Sequence, residues 1–294
     1  MKEIRHQVET IAKPVRLDRY LCDTFVIFPS RKSAYKTIKK GLVTLNGSVT
    51  TPNVSVQQGD VIRVILSEHS SPVYKKEIPV IYDDPYMSIV IKPPGMLVNG
   101  NASKTLERAL PFNISQSHIE DALSEPRVVH RLDRPTGGLV VVAKTAKSMM
   151  HLSGQFEKRR VKKMYRAIVS GKMEGSGFID THVDNREALT GYFVIDNIPS
   201  LHTNWLTYLE LYPRTGRTHQ IRKHLSDLGH PVLGDTQFTT SGPLLRSKGL
   251  FLWAAGISLA HPASEWVINV RSNVPAKFIT YMEREKRRFN GYRG

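Results

Sequence analysis

Apolar residues in this chain come in short runs interrupted by turn residues, and that pattern limits the folds open to it. The stretch Ile78 to Val98 (IPVIYDDPYMSIVIKPPGMLV) holds two such runs, broken at Asp83-Asp84-Pro85 and at Pro93-Pro94-Gly95, as strands separated by turns would be. Gly138 to Ala143 (GLVVVA) reads as a buried strand, and Tyr165 to Val169 and Trp205 to Leu211 alternate or run apolar in the same way. Helical patterns sit between them, at Lys147 to Lys158 and at His219 to Leu228. There is no regular strand–helix–strand alternation and no internal period, so a mixed α+β architecture fits better than a doubly wound sheet. No run approaches the roughly 18 apolar residues of a membrane span, and the amino terminus shows no apolar core of a signal peptide.

The first seventy residues organise themselves differently. Leu17, Tyr20, Leu21 and Phe25 recur at helical spacing. Ser30 is placed to cap a second helix, RKSAYKTIKK, which stops at Gly41. On that helix Lys32, Lys36, Lys39 and Lys40 share one face, while Ala34 and Ile38 point toward a core. Two short strands flank Asn46-Gly47, the dipeptide suited to a type I′ hairpin turn, and a further strand spans Asp60 to Leu66. Residues 67–77 are polar and contain Pro72, so they read as a linker. The expected division is residues 1–70 and residues 78–294.

Charge narrows the partner. Lys and Arg total 42 against 26 Asp and Glu, a net charge of +16. A field of that sign attracts polyanions, and a nucleic acid is the expected partner rather than an acidic membrane. The single cysteine, Cys22, allows no internal disulfide and no cysteine-based zinc site. With no signal segment, the expected location is the cytoplasm.

Common chemistries find no footing. Glycine-rich dinucleotide and P-loop signatures, HExxH and GxSxG are all missing. His219 and His224 are five apart, the wrong spacing to share a helix face as metal ligands. What remains is RVVHRLDRPTGGLVVVAK, Arg127 to Lys144. Its one carboxylate, Asp133, lies among Arg127, His130, Arg131 and Arg134, cations that would keep it ionised, before a turn bordering a buried strand. The alternative is a structural ion pair closing that turn. A second concentration is RTGRTHQIRKHLSDLGHPVLGD, Arg214 to Asp235. Thr218 is placed to cap a helix with an Ile221, Leu225, Leu228 stripe ending at Gly229. Arg222, at the border of that stripe, needs an acidic partner. Asp133 is one candidate; Asp227 and Glu210 are local ones.

Two resemblances follow. RLDRYL, SRKSAYKTIKKGLVTLNG and GDVIRV resemble an S4 domain, an RNA-binding module. VVHRLDRPTGGLVVVAK and TGRTHQIRKHLSDLGHPVLGD resemble the two signatures of the RluA-type pseudouridine synthases. Lys163 to Gly171 (KMYRAIVSG) resembles that family's tyrosine-bearing stretch, and IKPPG at 91–95 its opening motif. The four occur in the family's order. One position departs: the family usually has Thr-Ser-Gly where this chain has Thr136-Gly137-Gly138.

The resemblance implies an S4-like RNA-binding domain followed by a largely antiparallel catalytic domain that isomerises uridine to pseudouridine. It makes Asp133 the acting carboxylate, with Tyr165 stacking on the extruded base and Arg222 pairing with Asp133. Arg131 would fill the space the base vacates, and His130 would lie at the substrate. Lys32, Lys36 and Lys39 would contact phosphates. The reaction calls for no cofactor and no metal. Ribosomal RNA is the favoured substrate and transfer RNA a second; no protein partner is evident. The competing reading is an inactive RNA-binding or ribosome-assembly protein with the same fold.

Overall fold

The structure is a computed structural model describing residues 2–25, 27–28, 31–66, 72–239, 248–264 and 266–293. Ser30 and positions 67–71 of the expected linker lie outside the described residues. Contacts divide the chain into two compact units, Met1–Ser71 and Pro72–Gly294.

In the first unit, β1 (Lys2–Gln7) pairs with β6 (Val61–Leu66), which also pairs with β3 (Val43–Leu45), itself hairpinned to β4 (Ser48–Val49). Asn46 and Gly47 both have positive φ, 50° and 83°, as the primed turn requires. β2 (Val15–Arg16) and β5 (Ser55–Val56) make a separate pair. Against these pack α1 (Leu17–Thr24) and α2 (Arg31–Lys39), whose Leu17, Tyr20, Leu21, Ala34 and Ile38 join one core with Phe25, Val43, Ile62 and Val64. Asp18 is buried beside the helix start and accepts from Arg16 and Arg31. Burial works to raise its carboxyl, but those two guanidinium hydrogen bonds outweigh it and hold the group below its ordinary range.

The second unit is built on a ten-stranded mixed sheet. Its strands are β7 (Val80–Asp83), β8 (Met87–Lys92), β9 (Ala122–Val128), β10 (Gly137–Thr145), β11 (Lys162–Ser170), β12 (Ser176–Ile179), β13 (Thr190–Ser200), β14 (Asn204–Pro213), β15 (Leu252–Ala260) and β16 (Val267–Arg271). The order across the sheet is β12-β13-β14-β11-β15-β10-β8-β7, with β16 on β15 and β9 on β10. Among the strands named here, all of described residues, only β10 and β15 pair in parallel, so the α+β, largely antiparallel expectation holds. Helices α3 (Leu106–Asn113), α4 (Ala146–Glu157), α5 (Gln220–Asp227) and α6 (Ala276–Arg293) accompany it. β10 is buried at every position, which is why its sequence runs apolar rather than alternating.

Residues 72–77 do not behave as a free linker. Tyr74 donates its N–H to Arg108 O at 2.9 Å, and Asn113 donates to Lys76 O at 2.8 Å, so the segment is laid against α3. Among the described residues no helix is long and apolar enough to cross a membrane.

Candidate active site

Strand register brings the three motif segments to one place. Gly138 at the start of β10 pairs with Ala254 of β15, and Ala254 in turn pairs with Tyr165 of β11. The turn before β10, which carries Asp133, therefore stands level with Tyr165, with β15 between the two strands. Gly138 has φ +119°, and a Cβ there would meet Ala254 O at 2.3 Å, so this close approach requires glycine. α5 supplies the third wall with Arg222. Together they line a cavity of about 330 Å³.

Asp133 is the only carboxylate among the described residues lining the cavity, whereas Arg131, Arg159, Lys163, Arg214, Arg217 and Arg222 all face it. Its polar neighbours are not the arginines next to it in sequence. Arg127 turns to Glu107, 3.8 Å away, and Arg134 donates to Gly95 O at 3.0 Å. Asp133 instead meets Arg222 Nη1 at 3.5 Å and His219 Nε2 at 3.7 Å. The charged neighbours of Asp133 therefore come from α5 and the residue at its start, not from the turn itself.

The turn is fixed from below. Lys92, fully buried, donates from Nζ to Pro93 O (3.0 Å), Met96 O (2.8 Å) and Arg134 O (3.2 Å), tying the Pro93–Met96 turn to the Asp133 turn. Burial lowers its ammonium to about 8, against the opposing pull of the Asp133 charge. Tyr165 packs into the apolar layers on both sides of the cleft. Burial first, then the nearby Asp133 charge, raise its hydroxyl well above the ordinary value, so it stays protonated.

His130 lines the cavity and is also fastened into the fold. Its Nε2 accepts the N–H of Val141 at 2.9 Å and its ring stacks on Phe156 at 4.4 Å. Burial, then the Lys163 charge, lower it to about 3, so it is neutral and has no charge to offer a phosphate. Arg131 is exposed at the cavity and has no ion-pair partner among the described residues. Lys163, two residues before Tyr165 and so on the same strand face, also faces the cavity.

Arg222 is held far more tightly by a residue the sequence did not single out. Nε and Nη2 donate to Asp235 at 2.6 and 2.8 Å, and Phe238 covers the guanidinium at 4.8 Å. Neither local alternative applies: Glu210 pairs with Arg166 across β11 and β14, and Asp227 is not a partner of Arg222. The α5 start also departs from expectation. Thr218 does not cap it; His219 occupies the N-cap in the left-handed region (φ 57°) with no side-chain cap. Gln220 does the fastening instead, accepting from Thr215 Oγ1 (2.7 Å) and Arg217 N (3.0 Å) and donating to Thr190 Oγ1 (2.9 Å). At the other end Gly229 (φ 78°) lets His230 N bond Leu225 O, closing the helix as expected. Leu228 is its C-cap and exposed rather than part of the apolar stripe.

Gly137 has a physical reason. A Cβ there would lie 2.4 Å from the Trp253 ring and 3.0 Å from Pro94, so the indole occupies the space a serine would need. Elsewhere in the chain, Lys32, Lys36 and Lys39 are exposed along one face of α2 in the first unit.

Comparison with known proteins agrees on both units. The family profile described as RNA pseudouridylate synthase matches residues 86–227, and that of the S4 domain matches residues 15–62. An uncharacterized RNA pseudouridine synthase of Aquifex aeolicus is 33% identical, covering 86% of this chain and 88% of that protein. Ribosomal large subunit pseudouridine synthase D of Nitrosomonas europaea is 31% identical, covering 89% and 81%. Among solved structures, human RNA pseudouridylate synthase domain containing 4 superposes with a TM-score of 0.57 at 25% identity, covering 71% of this chain and 93% of that one.

Proposed function

The chain belongs to the RNA pseudouridylate synthase family, and from that premise we propose that it acts on ribosomal RNA with Asp133 as the acting carboxylate. The observation that carries the assignment is the site's charge: among the described residues lining the cavity, one carboxylate stands with six lysine and arginine side chains, level with a protonated tyrosine. Isomerisation detaches uracil from ribose and rejoins it through C5. In one scheme Asp133 attacks C1′, the N1–C1′ bond breaks with its electron pair on the base, and C5 later displaces the carboxylate and loses its proton. In the other, Asp133 takes the C2′ proton as the N1–C1′ bond breaks to leave a glycal, and C5 then bonds to C1′ as that proton returns to C2′; in both schemes the C5 proton is lost and N1 gains one. Both need an ionised carboxylate held against the sugar, and Arg222 Nη1 stands 3.5 Å from Asp133.

A stacked uridine has to leave its helix to reach that carboxylate. In this reading the Tyr165 ring supports the extruded uracil face and Arg131, exposed at the cavity and without an ion-pair partner among the described residues, occupies the vacated position. Residues 1–70 bind RNA through the lysine face of α2, while residues 78–294 carry the chemistry. Ribosomal RNA is favoured because relatives matched over most of their length are named as ribosomal large subunit pseudouridine synthases. The protein then works in the cytoplasm, where ribosomes are assembled.

Pseudouridine mapping across all RNA from cells with and without the protein tests the substrate. Loss of one or a few sites in large-subunit ribosomal RNA is the expected result. Loss confined to transfer RNA would overturn the substrate assignment, and an unchanged map would favour a non-catalytic RNA-binding role.

A further inference from the structure

Asp133 loses its charge during the reaction in either scheme, becoming a neutral ester as a nucleophile or a neutral acid as a base. Arg222 is 4% exposed, so if Asp133 were its sole counter-charge a buried guanidinium would be stranded at that moment. The structure does not pair them that way. Two arms of Arg222 go to Asp235 at 2.6 and 2.8 Å, and only Nη1 reaches toward Asp133, at 3.5 Å. Asp235 is itself immobilised: it is 2% exposed, and its Oδ1 also accepts the N–H groups of Gln237 (2.9 Å) and Phe238 (3.2 Å). Phe238 in turn lies over the guanidinium, closing its face to water.

Resting on the reading of Asp133 as the acting carboxylate, we propose that Asp235 is a positioning residue for the isomerisation. It keeps Arg222 compensated and oriented while Asp133 is neutralised. It also keeps Arg222 from closing onto Asp133 as a tight bidentate pair, which would bury the oxygens that must face the ribose. Two acids share one base, and only the one facing the cavity changes charge. The pair Arg222–Asp235 is thus a fixed electrostatic floor, and Asp133 is the mobile charge above it.

The test uses the full chain and ribosomal RNA purified from cells lacking the protein. Asp235→Asn keeps the shape and an oxygen for the two backbone N–H groups but removes the charge. The expected result is a single-turnover rate at saturating RNA lowered roughly 10- to 100-fold, the range of a charged hydrogen bond, with Kd for RNA within a few-fold. A role in stability alone would lower Tm and the folded fraction but not the rate per folded molecule. Asp235→Glu, which keeps the charge and displaces it by one methylene, should recover part of the rate. A folded Asp235→Asn protein with the wild-type saturating rate overturns the proposal. If the Asn variant does not fold, Asp235→Glu decides: a reduced saturating rate at unchanged Kd supports the proposal, and a wild-type rate overturns it. Failure of both variants to fold also overturns it, leaving Asp235 a residue of stability. Asp133→Asn is assayed alongside. Turnover by that variant removes the premise, whereas its inactivity beside a wild-type Asp235→Asn rate removes only this inference.

Discussion

The lysines of α2 and the arginine of α5 carry the same charge on short helices, yet the structure treats them in opposite ways. Lys32, Lys36 and Lys39 stand in solvent with no ion-pair partner among the described residues. Arg222 is buried, held by two carboxylates and covered by an aromatic ring. An exposed ammonium costs little to keep and little to lose, and it meets any phosphate in much the same way. A buried guanidinium is stable only with its partners in place, so it fixes geometry. Charge in the first unit suits capture of RNA; charge in the cleft suits chemistry.

The sharpest way to break that contrast is to neutralise the carboxylate in the cleft. Asp133→Asn should abolish isomerisation while RNA affinity stays within a few-fold of wild type, measured by single-turnover assay and by equilibrium binding on the same RNA. Substantial turnover would show that the cleft does not work through this group. Next in size is Arg222→Ala. It leaves Asp235 buried without its partner, which should cost about 3–5 kcal/mol of folding stability, read from denaturant unfolding of the full chain, and should cut the rate severely as well. Arg222→Lys should rescue only part of either, because an ammonium cannot engage Asp235 with two parallel hydrogen bonds. An Arg222→Ala protein as stable as wild type would place Arg222 with the α2 lysines, as a phosphate contact.

Two further tests probe the frame that holds the cleft charges. Gly137→Ser restores the serine usual in the family, but its Cβ would stand 2.4 Å from Trp253. Overpacking of that kind costs roughly 1–3 kcal/mol, and the loss should show as a lower denaturation midpoint. An unchanged midpoint would mean the indole yields freely and the frame is softer than the structure implies. His130 gives a pH signature. Its folded value, about 3, lies below the ordinary 6.5. Between those values the unfolded chain binds a proton that the folded one refuses. Its contribution therefore leaves stability intact above pH 6.5 and lowers it as pH falls toward 3, by about 1.4 kcal/mol per pH unit. His130→Asn should flatten that part of the stability–pH curve; an identical slope in the variant would mean the ring is protonated in the fold.

The two regions also differed in how much of them the sequence disclosed. The α2 face, the Asn46-Gly47 turn and the buried β10 strand rest on local spacing, and local spacing was enough. β1 escaped because its covered residues, Ile4 and His6, alternate with charged ones too weakly to stand out in KEIRHQ. α6 escaped for a similar reason: Phe278, Tyr281, Met282 and Glu285 form its buried stripe, but REKRR dominates its composition. In the cleft, Asp133, Tyr165 and Arg222 stand inside motifs visible in the sequence, and the structure brings them together. Their partners were not legible. Arg222 is 89 residues from Asp133, and Asp235 lies beyond the end of α5, so helical periodicity connects neither to it. Neighbours in sequence gave Asp133 the company of Arg127 and Arg134. That company does not form, because those two side chains leave the turn for Glu107 and Gly95.

The smallest expected effect belongs to the α2 lysines, and it completes the comparison. Each of Lys32, Lys36 and Lys39 is exposed on one face of a helix in an S4 domain, so each is placed to release about one counterion when RNA binds. Replacing one by Gln should therefore lower the slope of log K against log salt by about 0.7–0.9, and should weaken binding about equally across RNA sequences. The saturating single-turnover rate should not change, because none of the three lies in the unit that carries the cavity. Stability should not change either, since no buried partner is left behind. Measuring salt-dependent affinity and saturated rate for the Gln variants on one RNA decides the matter. A variant that keeps the wild-type salt slope but loses sequence preference would mean that α2 reads bases rather than phosphates, and the division between a capturing surface and a reacting cleft would have to be redrawn.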